Sequence, residues 1–325
     1  MTTNPLVSIC IPTYNREKII AHTIDSVINQ SYLNIEVVIS DNCSSDKTFE
    51  ILKSYSLKDS RIKIFKMQEN VGPVENWRNC NNNANGKFIK FLWSDDFIDK
   101  DFIEKTIHAF NKDIGFVYTP VKWFNVNSMH VNSDNIGYQM PNSQVYPISF
   151  FVESLIVDGT APVSASCALF RKEVLDDLFS SNIENCIGLN CKINGAGIDS
   201  LMFLYAINKY HYFSYVNSSY AYFGVGNDGI TIRDGSKLYP YYFSTFYDFL
   251  IKHNSNSNLI SKLKSKIFIY KVFFTNDKES IILLNRLLDI IKFKVNYIYV
   301  FRLAIKKVFI KKYINILKRI IRRIL

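Results

Sequence analysis

Phe88-Ile-Lys-Phe-Leu-Trp-Ser-Asp95-Asp96 is the stretch on which the reading of this 325-residue chain turns. Residues 88–93 have the length and aromatic content of a strand, and two carboxylates follow at once. In open α/β sheets the ligand crevice lies beyond the C-terminal ends of the strands. Two adjacent hard oxygen donors at such an edge suit Mg2+ or Mn2+ shared with substrate phosphates. An isolated Ser-Asp-Asp reads equally well as a solvated acidic turn. The order of the preceding segments decides between the two.

Upstream, strands and helices alternate. Val7–Ile11 reads as a buried strand left by the loop Pro12-Thr-Tyr-Asn15, and residues 17–29 carry helical spacing through Ile20, Ile24, Val27 and Ile28. Ile35–Ile39 is a second strand ending at Asp41, and Ser45 or Asp46 can cap a helix to about Tyr55. Ile62–Phe65 is a third strand, Gly72-Pro73 opens a helix to about Ala84, and Asn85-Gly86 turns the chain into Lys87–Trp93. Such alternation predicts right-handed crossovers and a mostly parallel sheet covered on both faces. Beyond Asp96 the pattern loosens: a helix over 101–111, one or two strands over 115–127, strands over 164–170 and 212–222, and a helix over 199–208. Residues 127–147 have weak patterning and read as a candidate mobile loop. From Lys237 onward only helices are expected.

Hydrophobic content of 48% and aromatic content of 15% fit a globular protein. The net charge of +10 resembles a nucleic-acid signal until it is mapped. Asp289 is the last acidic residue, and eleven Lys and Arg follow from Lys292. Removing those eleven from the chain's 39 leaves 28 basic against 29 acidic residues, so the charge belongs to the tail. Phe301, Ile305, Val308, Phe309, Tyr313, Ile316, Leu317, Ile320 and Ile324 recur there at helical spacing, with lysines and arginines on the other side. A basic amphipathic helix with aromatics suits the surface of an anionic membrane. It could also pack on the domain with a solvated basic face. Stacking or RNA-binding motifs are missing, so no nucleic-acid partner is expected. The six cysteines form no CxxC pair, which argues against zinc or a disulfide framework and for a reducing compartment. Neither a signal peptide nor an uncharged run long enough to span a bilayer is visible.

Four segments together resemble a known family. Val7-Ser-Ile-Cys-Ile-Pro-Thr-Tyr-Asn-Arg16 is similar to the opening strand of family 2 glycosyltransferases, and Ile39-Ser-Asp41-Asn-Cys-Ser-Ser-Asp46 to their second strand and its exit loop. Asn70-Val-Gly72, Asn76-Trp77 and the run from Ala84 to Asp96 resemble the approach to their metal-binding diad. The likeness covers about residues 5–110 closely and 160–235 loosely. It implies a GT-A (Rossmann-like) fold, a nucleotide-diphosphate sugar donor and inversion at the anomeric carbon. By position, Pro12, Tyr14, Asn15, Asp41, Asn70, Arg78 and Asp95 would bind the donor, and Asp96 with Asp95 the metal. Tyr14 could stack on the base or simply pack beside a helix. Asp41 could accept from a base N–H or cap the following helix. Arg78 and Lys90 could add charge near phosphate or be ordinary surface or helix residues. Asp199, in Gly195-Ala-Gly-Ile-Asp199, matches the place of the general base; its plainer role is an N-cap. Glu153, Asp158 and Asp228 are substitutes. One departure stands out: Gly224 and Gly226 occupy positions where relatives carry an arginine and a metal-completing histidine. Asn227, Asp228 or water would then complete the shell.

These readings predict a catalytic domain over 1–235, with a nucleotide-binding half to about 120 and an acceptor half over 121–235, then a helical region over 236–325. The expected activity is transfer of a hexose or N-acetylhexosamine from a UDP-sugar to a lipid-linked saccharide in O-antigen, capsule or lipooligosaccharide synthesis. The expected cofactor is Mn2+ or Mg2+. The expected place is the cytoplasmic, inner face of the cell membrane, touched through the basic C-terminal helix. The rivals are an inactive binding or scaffold protein of the same fold and a sugar nucleotidylyltransferase. The latter needs a glycine-rich phosphate loop where Pro12-Thr-Tyr-Asn15 stands.

Overall fold

The computed structural model describes residues 4–183, 185–190, 193–226, 234–253 and 257–292. The chain divides into two compact units, Met1–Glu184 with Asn190–Arg233 and Asn185–Leu189 with Asp234–Leu325. In the first unit β1 (Val7–Thr13), α1 (Ile20–Ile28), β2 (Ile35–Asp41), α2 (Thr48–Ser56), β3 (Ile62–Lys66), α3 (Pro73–Asn83) and β4 (Phe88–Phe91) alternate as expected. There follow β5 (Phe97–Ile98), α4 (Phe102–His108), β6 (Ile114–Tyr118), β7 (Val121–Asn125), β8 (Val131–Gly137), β9 (Gln144–Pro147) and α5 (Ile148–Glu153). The unit continues with β10 (Ala168–Arg171), α6 (Lys172–Ser180), α7 (Ile198–Leu204), β11 (Tyr212–Tyr215) and β12 (Ala221–Val225).

The main sheet runs β3-β2-β1-β4-β10-β6-β11-β9, and a smaller one runs β5-β12-β7-β8. β1 pairs in parallel with both β2 and β4, and β3 extends the parallel set beyond β2. β10 is antiparallel to β4 and β6, which makes the sheet mixed in its second half. Every residue of β1 and β2 is buried, the mark of parallel strands covered on both faces. α1 buries Ile20, Thr23, Ile24 and Val27, the i, i+3, i+4, i+7 stripe of a helix lying on a sheet. Phe116 of β6 gathers Phe151, Phe170, Phe203 and Phe213 at ring-centre distances of 4.9, 5.9, 5.2 and 5.3 Å. Such ring pairs contribute about 0.5–1.5 kcal/mol each beyond the area they bury. Phe203 belongs to α7, so this cluster anchors that helix.

Residues 127–147, expected as a loop, instead form much of β8 and β9. β8 folds back on β7 through a turn in which the Asn125 side chain accepts the N–H groups of Asn127 and Ser128. Its central residues are exposed, so no apolar alternation marks it. The strand expected over 212–222 is two strands in different sheets, and that over 164–170 begins with a 3-10 turn, Ala165–Cys167. The second unit is helical where described: Tyr239–Lys252 (α8), Ser257–Phe273 (α9) and Lys278–Ile290 (α10), preceded by a 3-10 turn at Gly235–Leu238. The basic amphipathic helix expected beyond Tyr299 lies outside the described residues. Among the described residues, no helix is long and apolar enough to cross a membrane.

A polar clamp fixes the start of β4. Glu36 of β2 accepts Ser8 Oγ at 2.5 Å, Asn85 N at 2.6 Å and Lys63 Nζ at 2.7 Å, while Ser8 Oγ accepts Gly86 N at 2.7 Å. A Cβ on Gly86 would stand 2.6 Å from Ser8 N, so the Asn85-Gly86 turn can only close against β1 without a side chain. Burial alone would raise the Glu36 pKa. The bonds from Lys63, Ser8 and Asn85 outweigh it and hold the carboxylate at about 2, against 4.5 when unfolded. A depressed carboxylate pKa stabilises the fold fully above the unfolded value and loses that stabilisation as pH falls toward the folded one. Discounting for the half-exposed lysine, the group contributes about 2–3 kcal/mol. We expect denaturant unfolding of the native protein between pH 6 and 2.5 to show this loss, and Glu36→Gln to lack it. Equal pH slopes for the two proteins would contradict the clamp.

Candidate active site

β1 is flanked by β2 on one side and β4 on the other, so the chain winds away from it in both directions. The crevice of a doubly wound sheet opens at such a switch point. Three loops leave the sheet there. Asn15, at φ 52°, donates its N–H to Ser44 Oγ at 2.9 Å and accepts Ser45 N on its side chain at 2.9 Å. Pro12 and Thr13 precede it in β1, paired with Ser40 and Asp41, and Tyr14 is 41% exposed. Asp41 is fully buried and accepts the Ser44 N–H at 3.1 Å and the Ser44 hydroxyl. Asn70 accepts Asn42 Nδ2 at 2.8 Å and Gly72 N at 3.0 Å, tying the loop before α3 to the exit of β2. Beneath these loops the side-chain oxygens of Thr13 and Asn76 are buried with no hydrogen-bond partner among the described residues. Orphans of this kind are commonly met by ligand or water.

β4 ends at Phe91, two residues before the expected Trp93, because the chain turns there. Asp96 N bonds Trp93 O at 2.9 Å, Trp93 N reaches Ser166 Oγ at 3.4 Å, and the Trp93 indole N–H reaches Ser164 Oγ at 2.7 Å. Asp95 is partly exposed and meets Arg16 at 3.5 Å. Asp96 is 4% exposed and accepts the Gly224 N–H at 2.9 Å. Burial and the neighbouring Asp95 push its pKa well up; Ser166, the Gly224 N–H and Lys90 act in the opposite direction. Lys90, read from sequence as a surface or phosphate-side residue, is fully buried. Its ammonium donates to the Ser166 carbonyl and lies 4.2 Å from the Phe102 ring centre. Burial pulls its pKa down to about 7. The glycine at 224 now has a reason. A Cβ there would stand 2.2 Å from the Asp95 carbonyl oxygen, so neither arginine nor histidine fits this backbone. Asn227 and Asp228, the other expected contributors, lie outside the described residues.

Asp199 sits in the first turn of α7, after Gly197 at φ 85°, and its carboxylate accepts the Ser200 N–H at 2.8 Å. It is not the N-cap; Gly197 holds that position. The helix start is tied to the Asp95–Asp96 turn from two sides. Ser200 Oγ donates to Val163 O at 3.2 Å, in the segment that also holds Trp93. Gly195 lies so close to Trp77 that a Cβ would stand 2.4 Å from its ring, and that ring lies 4.8 Å from that of Trp93. Arg78 faces elsewhere: its guanidinium donates to the Phe179 carbonyl at 2.8 Å and to Glu75 at 2.5 Å. Arg16, Asn42, Asn76 and Ser166 were not foreseen as site residues. Arg16, Asn42 and Asn76 stand within the motifs already quoted, which was the available signal; Ser166 stands in none and bonds across 73 and 76 residues of sequence.

The donor set fits a divalent cation. Among the described residues no cluster of three His, Cys, Asp or Glu exists that could hold one alone. Mg2+ commonly takes one or two carboxylates, with the rest of its shell from substrate phosphates and water. Asp95 and Asp96 would hold it.

The model of the family described as glycosyl transferase family 2 matches residues 8–179, more than half of the chain. TuaG of Bacillus subtilis, a putative teichuronic acid biosynthesis glycosyltransferase, is 39% identical over 103 residues, covering 32% of this chain and 41% of the relative. The GalNAc(5)-diNAcBac-PP-undecaprenol beta-1,3-glucosyltransferase of Campylobacter jejuni is 31% identical over 115 residues, 35% of this chain and 37% of the relative. The chain thus spans about two fifths of the length of these relatives. Residues 1–349 of S. aureus TarS, solved with UDP-GlcNAc, superpose with a TM-score of 0.62 at 17% identity, covering 86% of this chain and 79% of that one. That likeness shows the fold, GT-A, with a helical C-terminal region. The chain belongs to glycosyl transferase family 2.

Proposed function

We propose that the chain transfers a hexose or N-acetylhexosamine from a UDP-sugar to a lipid-linked saccharide, with inversion, in O-antigen, capsule or lipooligosaccharide assembly. The observation that carries this reading is the meeting of three strand exits, with Asp41, Asp95 and Asp96 on them, at a turn to which the start of α7 is tied. The TarS complex with UDP-GlcNAc supports the donor class, and the undecaprenol-diphosphate acceptor in the Campylobacter jejuni enzyme's name supports the acceptor class.

In this reading the exposed Tyr14 ring stacks on the base, and Asp41 accepts a base N–H on lone pairs that Ser44 leaves free. Pro12, Asn15 and Asn70 shape the loops around it. Arg78 is left out of the donor set, since Glu75 and the Phe179 carbonyl engage it. Asp95 and Asp96 hold Mn2+ or Mg2+, which when bound neutralises the charge gathering on the departing UDP. Asp199 takes the proton of the acceptor hydroxyl as its oxygen attacks the anomeric carbon. The new C–O bond forms on the face opposite the breaking bond to UDP. The basic tail holds the enzyme on the inner face of the cell membrane, where a lipid-borne acceptor is concentrated.

Three outcomes are expected. With a panel of nucleotide sugars and an undecaprenyl-linked acceptor, Asp199→Asn should lower transfer about 10²–10⁴-fold while leaving UDP binding intact. Asp96→Ala should abolish the stimulation by Mn2+. Transfer that survives both changes would remove these assignments. In vesicle flotation, the full chain should bind anionic bilayers at 0.1 M salt and be released at 1 M, where the screening length falls to about 3 Å. Equal binding to neutral vesicles would contradict the electrostatic anchor.

A further inference from the structure

Trp77 stands in a motif already quoted, yet the donor and metal chemistry proposed above makes no use of it. It is 8% exposed and lies on α3, next to Asn76, whose side chain donates to the carbonyls of Ser40 at 3.0 Å and Thr13 at 3.4 Å. One neighbour of its ring is Trp93, at 4.8 Å between centres and 30° between planes. Another is Gly195, buried and at φ 71°. A Cβ on Gly195 would stand 2.4, 2.8 and 3.2 Å from Cη2, Cζ2 and Cζ3 of the indole, so its backbone lies directly against that edge of the ring. Gly195 O accepts Ile198 N at 3.0 Å. The same glycine therefore opens the turn into α7, in whose first turn Asp199 stands.

Trp93 joins this contact to the two aspartates. Its carbonyl accepts Asp96 N at 2.9 Å and closes their turn, and its indole N–H donates to Ser164 Oγ at 2.7 Å. Val163, the residue before that serine, accepts Ser200 Oγ on its carbonyl at 3.2 Å, from the residue after Asp199. The start of α7 thus reaches Trp93 by two routes, one through the Trp77 ring and one through Val163 and Ser164. Displacement with inversion needs the base and the departing diphosphate on opposite faces of the anomeric carbon. A misplacement of about 1 Å in such an arrangement can cost about 10²-fold in rate. A methyl group at residue 195 would stand 2.4 Å from a ring atom where ordinary contact begins at 3.4 Å, so the seat has to give by about that much. Trp77 is buried against Trp93, which leaves the start of α7 to move.

We propose that Trp77 is a positioning residue for the general base: stacked on Trp93, it is the seat on which Gly195 sets the start of α7, and so it fixes Asp199 relative to the aspartate diad. This inference rests on the reading of Asp199 as the base, and a double-mutant cycle separates the two. In the full chain, transfer to an undecaprenyl-linked acceptor is measured at saturating donor and Mn2+, and UDP affinity in the presence of Mn2+ by calorimetry. Gly195→Ala is expected to lower kcat on the order of 10²-fold, with UDP affinity unchanged. Trp77→Phe removes the ring atoms beneath Gly195 without adding bulk. It should lower kcat in the same direction, and it serves if the alanine variant does not fold. In the Asp199→Asn background either change should cost little more, because residues acting as one unit are not additive. Native kcat in Gly195→Ala and Trp77→Phe, losses that multiply with that of Asp199→Asn, or weakened UDP binding would overturn the role of Trp77 and leave Asp199 standing. Native transfer by Asp199→Asn would overturn the base reading, and this inference with it.

Discussion

A carboxylate taken out of water beside a second carboxylate is the constraint around which this catalytic unit is arranged. Asp96 loses hydration on burial and feels the charge of Asp95, and both effects favour its protonated form. The fold offsets this with a backbone N–H from β12 and the field of a lysine inside β4. Each contribution comes from a different part of the chain. The second sheet, with no part in the nucleotide-binding alternation, is needed because β12 delivers the Gly224 N–H. The Asp99 carboxylate holds that strand in turn, accepting Tyr220 N at 2.8 Å and the Tyr222 hydroxyl at 2.9 Å.

The opposite ends of the same strands carry the complementary device. Glu36, Ser8, Asn85 and Gly86 fasten the start of β4 to β1 and β2, and the register then carries Phe88–Phe91 forward beside Val7–Cys10. One clamp sets where β4 begins, and the Ser166 turn sets where it stops. Between them the diad is delivered to the switch point beside Asp41 and Tyr14. The Phe116 cluster fixes α7, the helix that carries Asp199, against β6 and β10.

The first four strands and three helices were legible in sequence because parallel strands buried on both faces read as unbroken apolar runs, Val7–Ile11 and Ile35–Ile39 among them. Asp95 and Asp96 were legible because such a run stops on them. The β7–β8 hairpin was not: β8 is exposed on most of its length and carries no alternation. Lys90 was misjudged for a related reason. A lysine in an apolar run looks like a surface residue until a carbonyl 76 residues away is seen to receive it. Ser166 lay within a stretch read as plain strand, and nothing local marks a serine whose partners lie more than 70 residues away. Gly224 looked like a missing arginine; the structure makes it a space requirement.

The central claim is that Asp95 and Asp96 hold a divalent cation at the mouth between β1 and β4. Crystals grown with UDP and Mn2+, measured at the manganese absorption edge, test it directly. The expected result is one anomalous peak within about 2.0–2.3 Å of an Asp96 carboxylate oxygen and of diphosphate oxygens. A peak away from both aspartates, or UDP bound in a different crevice with the Asp96 carboxylate still enclosed, would contradict the account.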